Sequence, residues 1–214
     1  MNSTNKKRRV GIMGGTFDPI HIGHLILGEK AHEQFQLDEV LFMPSGNPPH
    51  KQNRRGRAGN KERVELVSRA IMDNPHFSLS LEEMHDEGYT YTRQTLEKLT
   101  AQNPDTEYYF IMGADSLLSF HTWKDPQEIC RLCVLVVATR DHLPQKELDR
   151  KIAEVSETYH ANIQKLSTLN IDVSSHMLRQ WIYEGRSCRY YMPVPVIEYI
   201  RKEGLYLELC ENGE

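Results

Sequence analysis

Short apolar segments alternate with amphipathic segments along most of the chain. Several apolar runs have strand length and carry few polar residues, as parallel strands buried on both faces do. Strands are predicted at 9–14, 39–44, 77–81, 108–113, 133–138 and 163–166, and helices at 21–36, 61–72, 92–99, 146–159, from a Ser174 or Ser175 cap to 184, and from 195 to just before 204. This alternation predicts an α/β fold with a doubly wound, mostly parallel sheet.

The length of the chain agrees with one packed domain. A chain of 214 residues can bury one sizeable core, and its sequence contains neither an internal repeat nor a dividing linker. We expect a flexible N-terminus over 1–8, one domain over 9–209 and a C-terminal tail over 210–214. Within the domain, the polar stretch 45–60 is rich in glycine, proline and arginine and predicts a long mobile loop.

The composition excludes several classes of protein. With 39% hydrophobic and 26% charged residues, the chain is typical of globular proteins, which excludes wholesale disorder and a fibrous chain. A net charge of -4 argues against polynucleotide binding. No apolar run approaches the roughly 20 residues of a membrane span, and the first apolar segment is too short for a signal peptide. We therefore expect a cytoplasmic protein without membrane contact, and homo-oligomerisation is left open.

Cys130 and Cys133 form a C-x-x-C pair, a spacing that also occurs in metal sites. No second cysteine pair and no nearby histidines complete a zinc site, and the pair leads into the apolar run 133–138. We therefore expect buried thiols at both positions and no metal ion held by protein side chains.

A glycine-rich loop with two histidines joins the first predicted strand to the first helix. Glycines allow the backbone to approach a ligand closely, and free N–H groups at a helix start favour an anion such as phosphate. His21 and His24 are three residues apart, so on one helix both can direct ring nitrogens at a polyphosphate. The candidate phosphate-binding residues of this segment are Gly14, Gly15, Thr16, Phe17, His21 and His24.

The segment from Gly14 to Leu25 resembles the T/H-x-G-H signature of the adenylyl- and cytidylyltransferases, with the flanking residues of the nicotinate-nucleotide adenylyltransferase branch. The resemblance covers most of the chain, from residue 10 to about 204. It implies a Rossmann-like nucleotidyltransferase fold and transfer of the adenylyl group of ATP to nicotinate mononucleotide, with Mg²⁺ carried by the ATP phosphates. It further implies catalytic roles for His21, His24 and Arg179, which would neutralise charge on the departing pyrophosphate.

Three further segments resemble the mononucleotide side of this family. Thr90-Tyr91-Thr92 resembles a helix start whose backbone amides receive the pyridine carboxylate. Gly113-Ala114-Asp115 resembles a G-A-D segment in which Asp115 accepts hydrogen bonds from a ribose, and Trp123 resembles the residue that stacks on the nicotinate base. The resemblance therefore implies mononucleotide contacts at Thr90, Tyr91, Thr92, Gly113, Asp115 and Trp123.

Other segments resemble parts of the family that face the phosphates. The resemblance implies that His50 and Lys51, after Pro48-Pro49, belong to a flap over the nucleotides. The late segment from Ser174 to Arg179 resembles I-S-S-T/S-x-x-R, in which both serines, the helix start and the arginine hold phosphate oxygens. The chain departs from this pattern at Val173 and His176. Arg140 resembles a position near the ATP phosphates, although Asp141-His142 replaces the usual Pro-Gly.

Each of these assignments has an alternative that the sequence leaves open. Thr92, Asp115 and Ser174 are also ordinary helix caps, and Trp123 is also an ordinary core residue. A zinc protease lacks support because the glutamate of H-E-x-x-H is absent, and a dinucleotide oxidoreductase lacks its G-x-G-x-x-G. An adenylyltransferase for nicotinamide mononucleotide or phosphopantetheine, and a non-catalytic nucleotide-binding protein, stay open.

Overall fold

The structure, a computed structural model, describes residues 6–46, 56–84, 89–138, 144–169 and 171–208. Its centre is a six-stranded parallel sheet in the order β3-β2-β1-β4-β5-β6. The strands are β1 (Arg8–Gly15), β2 (Glu39–Pro44), β3 (Phe77–Leu79), β4 (Thr106–Gly113), β5 (Cys133–Ala138) and β6 (Ile163–Leu166). From β1 the strand order runs through β2 to β3 on one side, and from β4 through β5 to β6 on the other. This order defines a doubly wound sheet and confirms the predicted α/β fold class.

Within the described residues, six helices lie between these strands in sequence and two follow β6. They are α1 (Ile22–Phe35), α2 (Asn60–Ile71), α3 (Thr92–Gln102), α4 (Ala114–Leu118), α5 (Pro126–Leu132), α6 (Gln145–Tyr159), α7 (Ser175–Tyr183) and α8 (Val194–Glu203), with a 3₁₀ turn at Phe120–Thr122. The predicted cap of α7 and the predicted stop of α8 are confirmed: Ser174 caps α7, and Gly204 ends α8 in a left-handed conformation with φ of 63°. α7 ends one residue before its predicted end, and α8 begins one residue before its predicted start. None of the described helices is long and apolar enough to cross a membrane.

Burial and length explain which elements the sequence pattern predicts. All six residues of β5 are buried, as expected for a strand covered on both faces. The sequence pattern does not predict α4, the 3₁₀ turn or α5, because segments of three to seven residues are too short to display a helical period. In addition, β1 begins at Arg8, one residue before the predicted strand, and β3 ends two residues before its predicted end.

By the contacts between its residues, the chain divides into two compact units. Unit 1 comprises 1–13, 27–41 and 91–170, and unit 2 comprises 14–26, 42–90 and 171–214. The predicted domain boundaries of 9–209 stay a prediction. In unit 1, β4 pairs in parallel with β1 and with β5, and buried residues of both β4 and β5 form the core. In unit 2, α2 packs against α8, and buried Phe17, Phe42 and Phe77 form an aromatic cluster.

Candidate active site

The loop that follows β1 is held by one strained, buried residue. Phe17 is 2% exposed and has a φ of 49°, in the left-handed region that a bulky side chain rarely adopts. Its ring packs 6.0 Å from the ring centre of Phe42, and a Cβ on Gly15 would lie 3.2 Å from the Phe17 ring. Gly15 therefore serves close packing against Phe17. Strain at a buried loop residue persists where the surroundings fix it, and such residues concentrate at functional sites.

The two histidines of the predicted signature lie together at the start of α1. Their rings stack with centroids 3.8 Å apart and an interplanar angle of 30°, and the edge of Phe17 packs against His24. The backbone N–H of His21 donates a hydrogen bond of 3.2 Å to Nδ1 of His24. Because Nδ1 accepts in this bond, the ring proton of neutral His24 lies on Nε2, which makes Nε2 a hydrogen-bond donor.

Gly23, between the two histidines, is explained by the space around it. A Cβ at this position would lie 3.0 Å from Nδ1 of His21 and 3.0 Å from Cγ1 of Val173. His21 is 4% exposed, so its ring has little freedom to move away. The glycine of the H-x-G-H signature thus allows the His21 ring and Val173, two residues before α7, to approach the first turn of α1.

Side chains from α2 and α7 hold the carbonyl groups of the 16–19 segment. Arg63, 4% exposed, donates from Nη1 to the Thr16 carbonyl at 2.8 Å. Arg179 donates to the Asp18 carbonyl, and the Ser175 hydroxyl donates to the Pro19 carbonyl at 2.8 Å. Burial lowers the pKa of Arg63 from its ordinary value. Three of four successive carbonyls therefore accept a side-chain hydrogen bond, which fixes the path of the loop.

The carboxylate of Asp18, within this segment, is buried and has several polar partners. It is 3% exposed and lies 3.7 Å from Nη1 of Arg179 and 3.9 Å from Nε of Arg57. Its Oδ1 accepts hydrogen bonds from the Ala58 N–H at 3.1 Å and from the Tyr206 hydroxyl at 2.8 Å. Burial, and next the adjacent carboxylate, raise the pKa of Tyr206 well above its ordinary value, so the hydroxyl remains a donor at neutral pH.

The serines that the sequence assigns to phosphate binding have defined structural roles. Ser174 caps α7 by accepting the Met177 N–H at 3.2 Å, and Ser175 bonds the Pro19 carbonyl. Arg179 is 6% exposed and directs its guanidinium to both the carbonyl and the carboxylate of Asp18. Contacts of these three residues with phosphate stay predictions. His176, where the chain departs from its family, is exposed.

The predicted base-stacking residue lies in unit 1 beside two phenylalanines. Trp123 is half-buried, with ring centroids 5.8 Å from Phe110 in an edge contact and 5.4 Å from Phe120. Packing of this kind fixes an indole while leaving part of its surface accessible, a geometry suited to stacking on a planar ring. Its assignment to the nicotinate base stays a prediction.

A charged cluster fixes the segment next to Trp123. Asp125 has a φ of 53° and precedes α5, and Arg93 of α3 forms ion pairs with Asp125 and with Glu97. The ammonium group of Lys124 lies 4.6 Å from the ring centre of Tyr91. The start of α3 and the loop after the 3₁₀ turn are thus joined by an ion pair and a cation–π contact. Sequence reasoning did not find Arg93, because its spacing from Asp125 carries no local signal.

The other predicted mononucleotide residues lie at helix starts. Thr92 is the first residue of α3 and Tyr91 its N-cap, while Thr90 donates to the Glu83 carbonyl at 3.4 Å in unit 2. Gly113 precedes α4, and a Cβ there would meet no atom within 4 Å. Asp115 is exposed in the first turn of α4, so its carboxylate is accessible to a ligand. The assignment of these residues to the mononucleotide stays a prediction.

Three predicted site residues, His50, Lys51 and Arg140, lie outside the described residues, and so does Cys210. In the part of the chain that the structure describes, no group of three His, Cys, Asp or Glu residues could hold a metal ion. Cys130 and Cys133 are both free and buried, which confirms the predicted thiols. Burial raises the pKa of Cys130 to about 11 and raises that of Cys133 as well, so neither thiol is an activated nucleophile.

Sequence reasoning also missed the buried polar residues that support the loop. Asp18 lies within the signature segment but has no predicted role, and neither Arg63 nor Tyr206 is predicted as a site residue. Arg63 carries a detectable signal, since an arginine on the apolar face of an amphipathic helix demands a buried partner. Tyr206 carries none, because a tyrosine after the last helix is common in a core.

Comparison with known proteins places this geometry in a class and then in a family. The chain has the α/β nucleotidyltransferase fold. The family model described as cytidylyltransferase-like matches residues 12–181, so the chain belongs to the cytidylyltransferase-like family. This finding confirms the resemblance seen in the sequence.

Relatives of nearly the same length carry one name, "probable nicotinate-nucleotide adenylyltransferase". The protein from Lachnoclostridium phytofermentans is 46% identical over 94% of this chain and 100% of its own length. The protein from Thermoanaerobacter sp. is 39% identical over 97% of this chain and 99% of its own length. Among solved structures, Plasmodium falciparum nicotinic acid mononucleotide adenylyltransferase complexed with NaAD has a TM-score of 0.76 at 19% identity, covering 94% of this chain and all of that one, which shows a common fold.

Proposed function

We propose that the protein transfers the adenylyl group of ATP to nicotinate mononucleotide, releasing pyrophosphate and forming nicotinate adenine dinucleotide, a step of NAD synthesis. The observation that carries this proposal is the His21–His24 pair, fixed after a glycine loop in a chain whose full-length relatives bear the name of this activity. The same proposal places the reaction in the cytoplasm, as the sequence predicts.

The chemistry needs placement and charge neutralisation rather than a protein nucleophile. The phosphate monoester of the acceptor is anionic near neutral pH, so one of its oxygens can attack the α-phosphorus of ATP directly. A bond forms between that oxygen and the α-phosphorus, while the bond from the α-phosphorus to the bridging oxygen breaks. The bridging oxygen leaves with pyrophosphate and takes the negative charge. Residues that neutralise this charge lower the barrier.

On the ATP side, His24 is suited to the departing charge. Its Nδ1 accepts the His21 N–H, so in the neutral ring Nε2 carries the proton and is the atom that can donate to a phosphate oxygen. We propose that the backbone of Gly14, Gly15 and the 16–19 segment, whose carbonyls accept side-chain hydrogen bonds, lies close to the phosphates. We propose that the start of α7, with Ser174, Ser175 and Arg179, and the residues Lys51 and Arg140 complete the phosphate contacts.

On the acceptor side, the proposal assigns recognition of a planar, anionic ring. Trp123, held by Phe110 and Phe120, supplies the stacking surface. Backbone amides at the start of α3, near Thr92, are suited to the pyridine carboxylate, and exposed Asp115 is suited to a ribose hydroxyl. His50 and Lys51 are proposed to contact the mononucleotide phosphate.

Magnesium belongs to the proposal as a companion of ATP. Mg²⁺ prefers oxygen ligands, keeps several waters, and is commonly held by substrate phosphates together with only one or two carboxylates. The chain therefore needs no dedicated cage for the ion. When bound, the ion neutralises charge on the polyphosphate.

A panel of acceptors tests the proposed function. Purified protein is mixed with ATP, Mg²⁺ and one of nicotinate mononucleotide, nicotinamide mononucleotide or phosphopantetheine, and pyrophosphate release is recorded. We expect nicotinate mononucleotide to give the highest kcat/KM. Equal or faster turnover of either other acceptor would assign a different substrate, and absence of turnover with all three would indicate a non-catalytic nucleotide-binding protein. The His24→Ala variant, prepared in parallel, excludes a contaminating enzyme.

A further inference from the structure

We infer that Tyr206 is a positioning residue for ATP: its hydroxyl holds the Asp18 carboxylate, and through Asp18 it fixes the loop that leads to the two histidines. The inference rests on the proposed function, since it names a residue that acts on the same phosphate site. Tyr206 itself follows the last helix and lies at the far end of the chain from that loop in sequence.

The backbone around Tyr206 places its ring inside unit 2. Gly204 ends α8 with a φ of 63°, and Tyr206 follows with a φ of 65°. A tyrosine in the left-handed region costs about 1 kcal/mol or more. The ring is nevertheless 4% exposed, with its hydroxyl 2.8 Å from Oδ1 of Asp18. Burial and a charge-assisted hydrogen bond offset the strain, and the strain persists only because that position is strongly fixed.

The Asp18 carboxylate has different partners on its two oxygens. Oδ1 accepts from the Tyr206 hydroxyl and the Ala58 N–H, while Oδ2 faces the guanidinium groups of Arg179 and Arg57 at 3.7 and 3.9 Å. Without the hydroxyl, the Ala58 N–H is the one described donor to Oδ1. The hold on Oδ1 then opposes the attraction of Oδ2 to Arg179 and Arg57 less strongly. We expect the carboxylate to rotate or shift towards them.

A shift of Asp18 reaches the histidines through the backbone. Arg179 bonds both the carbonyl and the carboxylate of Asp18, so movement of the carboxylate changes the hold on the carbonyl as well. Asp18 is three residues before His21, and the Pro19 carbonyl between them is fixed by Ser175. The effect is therefore expected on binding and transfer from ATP. The residues proposed to hold the pyridine ring and the ribose, Thr92, Asp115 and Trp123, belong to unit 1, so recognition of that part of the acceptor should be spared.

The first test removes only the hydroxyl. Tyr206→Phe should lower kcat/KM for ATP about tenfold, because a small misplacement near reacting groups has a large effect on rate, while KM for nicotinate mononucleotide stays unchanged. Tyr190→Phe is a matched control, since Tyr190 also has a left-handed φ of 72° but is 81% exposed. Equal kinetics of the two variants, or a parallel rise of both KM values, would overturn the inference.

A second test asks whether Tyr206 acts through Asp18. In an Asp18→Ala background, Tyr206→Phe should have no further effect on kcat/KM for ATP, because the acceptor is already absent. Additive losses would show that Tyr206 acts elsewhere and would refute the positioning role. Urea denaturation of each variant identifies losses that follow unfolding, and if Asp18→Ala does not fold, the comparison of Tyr206→Phe with Tyr190→Phe decides alone.

Failure of the proposed function would be distinguishable from failure of this inference. If the parent protein releases no pyrophosphate with any acceptor, the function is wrong, and calorimetric binding of Mg-ATP then replaces turnover as the readout. Weaker Mg-ATP binding by Tyr206→Phe than by Tyr190→Phe would still support the inference, and equal affinity would overturn it. If the parent is active and both variants match it, only the inference fails.

Discussion

Substitution of Gly23 by alanine should separate the activity of this protein from its stability. The added Cβ would lie 3.0 Å from Nδ1 of His21 and 3.0 Å from Cγ1 of Val173. Contacts this short require the neighbouring groups to move by a few tenths of an ångström. Because His21 is buried, its ring has to shift within a packed environment.

Two opposing contributions decide the stability of Gly23→Ala. Overpacking a buried position costs about 1–3 kcal/mol, and alanine in place of glycine inside a helix contributes about 1 kcal/mol in the other direction. The net loss in free energy of unfolding is therefore roughly 0–2 kcal/mol. Activity has no such compensation: displacing His21 should lower kcat about tenfold, since a 1 Å misplacement can cost about a hundredfold.

The assay compares kcat for pyrophosphate release with urea denaturation of the same preparations. A second variant, Gly23→Ala with Val173→Ala, relieves one close contact and leaves the contact with His21 unchanged. Its kcat should stay low, because the histidine remains displaced. Recovery of kcat in this double variant would show that Val173 is the group that matters, and normal kcat in Gly23→Ala would refute the packing argument altogether.

Three further substitutions test the proposed roles. His24→Ala should lower kcat about a hundredfold or more with little change in KM for the mononucleotide, and a near-normal kcat would remove His24 from the catalytic residues. Trp123→Ala should raise KM for the mononucleotide about tenfold, because a stacked aromatic contact is lost, while KM for ATP stays unchanged. If circular dichroism shows that this variant is unfolded, Trp123 has a core role instead. Arg179→Lys keeps the charge but loses the planar guanidinium, whose Nη1 donates to the Asp18 carbonyl and lies 3.7 Å from its carboxylate. We therefore expect kcat/KM for ATP to fall at least about tenfold, and full activity would contradict this.

The sequence is sufficient for the central strands of the sheet because β1, β4 and β5 contain runs of buried apolar residues. The bounds of β2, β5 and β6 match the prediction residue for residue, and in β5 every side chain is buried. The segment between β4 and β5 could not be predicted in the same way. Its helices α4 and α5 have five and seven residues, and α5 depends on the left-handed Asp125 before Pro126, a tertiary feature held by Arg93.

The candidate site was predictable where its residues are neighbours in sequence and not where they meet through the fold. The spacing of His21 and His24 indicates a common face, and the structure brings their rings together. Nothing in the sequence indicates that Arg179 turns towards Asp18, or that Asp18 has a partner beyond α8. Such contacts depend on how distant segments fold back, which local pattern does not encode.

The long separation of these contacts has a consequence for the biosynthesis of the protein. Asp18 is 161 residues from Arg179 and 188 residues from Tyr206. During translation the loop, its histidines and Arg63 emerge early, at roughly 5–20 residues per second, but the contacts from Arg179 and Tyr206 cannot form until the end of the chain has left the ribosome. A chain interrupted before Tyr206 would carry the whole H-x-G-H signature and still lack the hydroxyl that holds the Asp18 carboxylate. Nascent fragments are therefore expected to bind and consume ATP less well before synthesis reaches that turn.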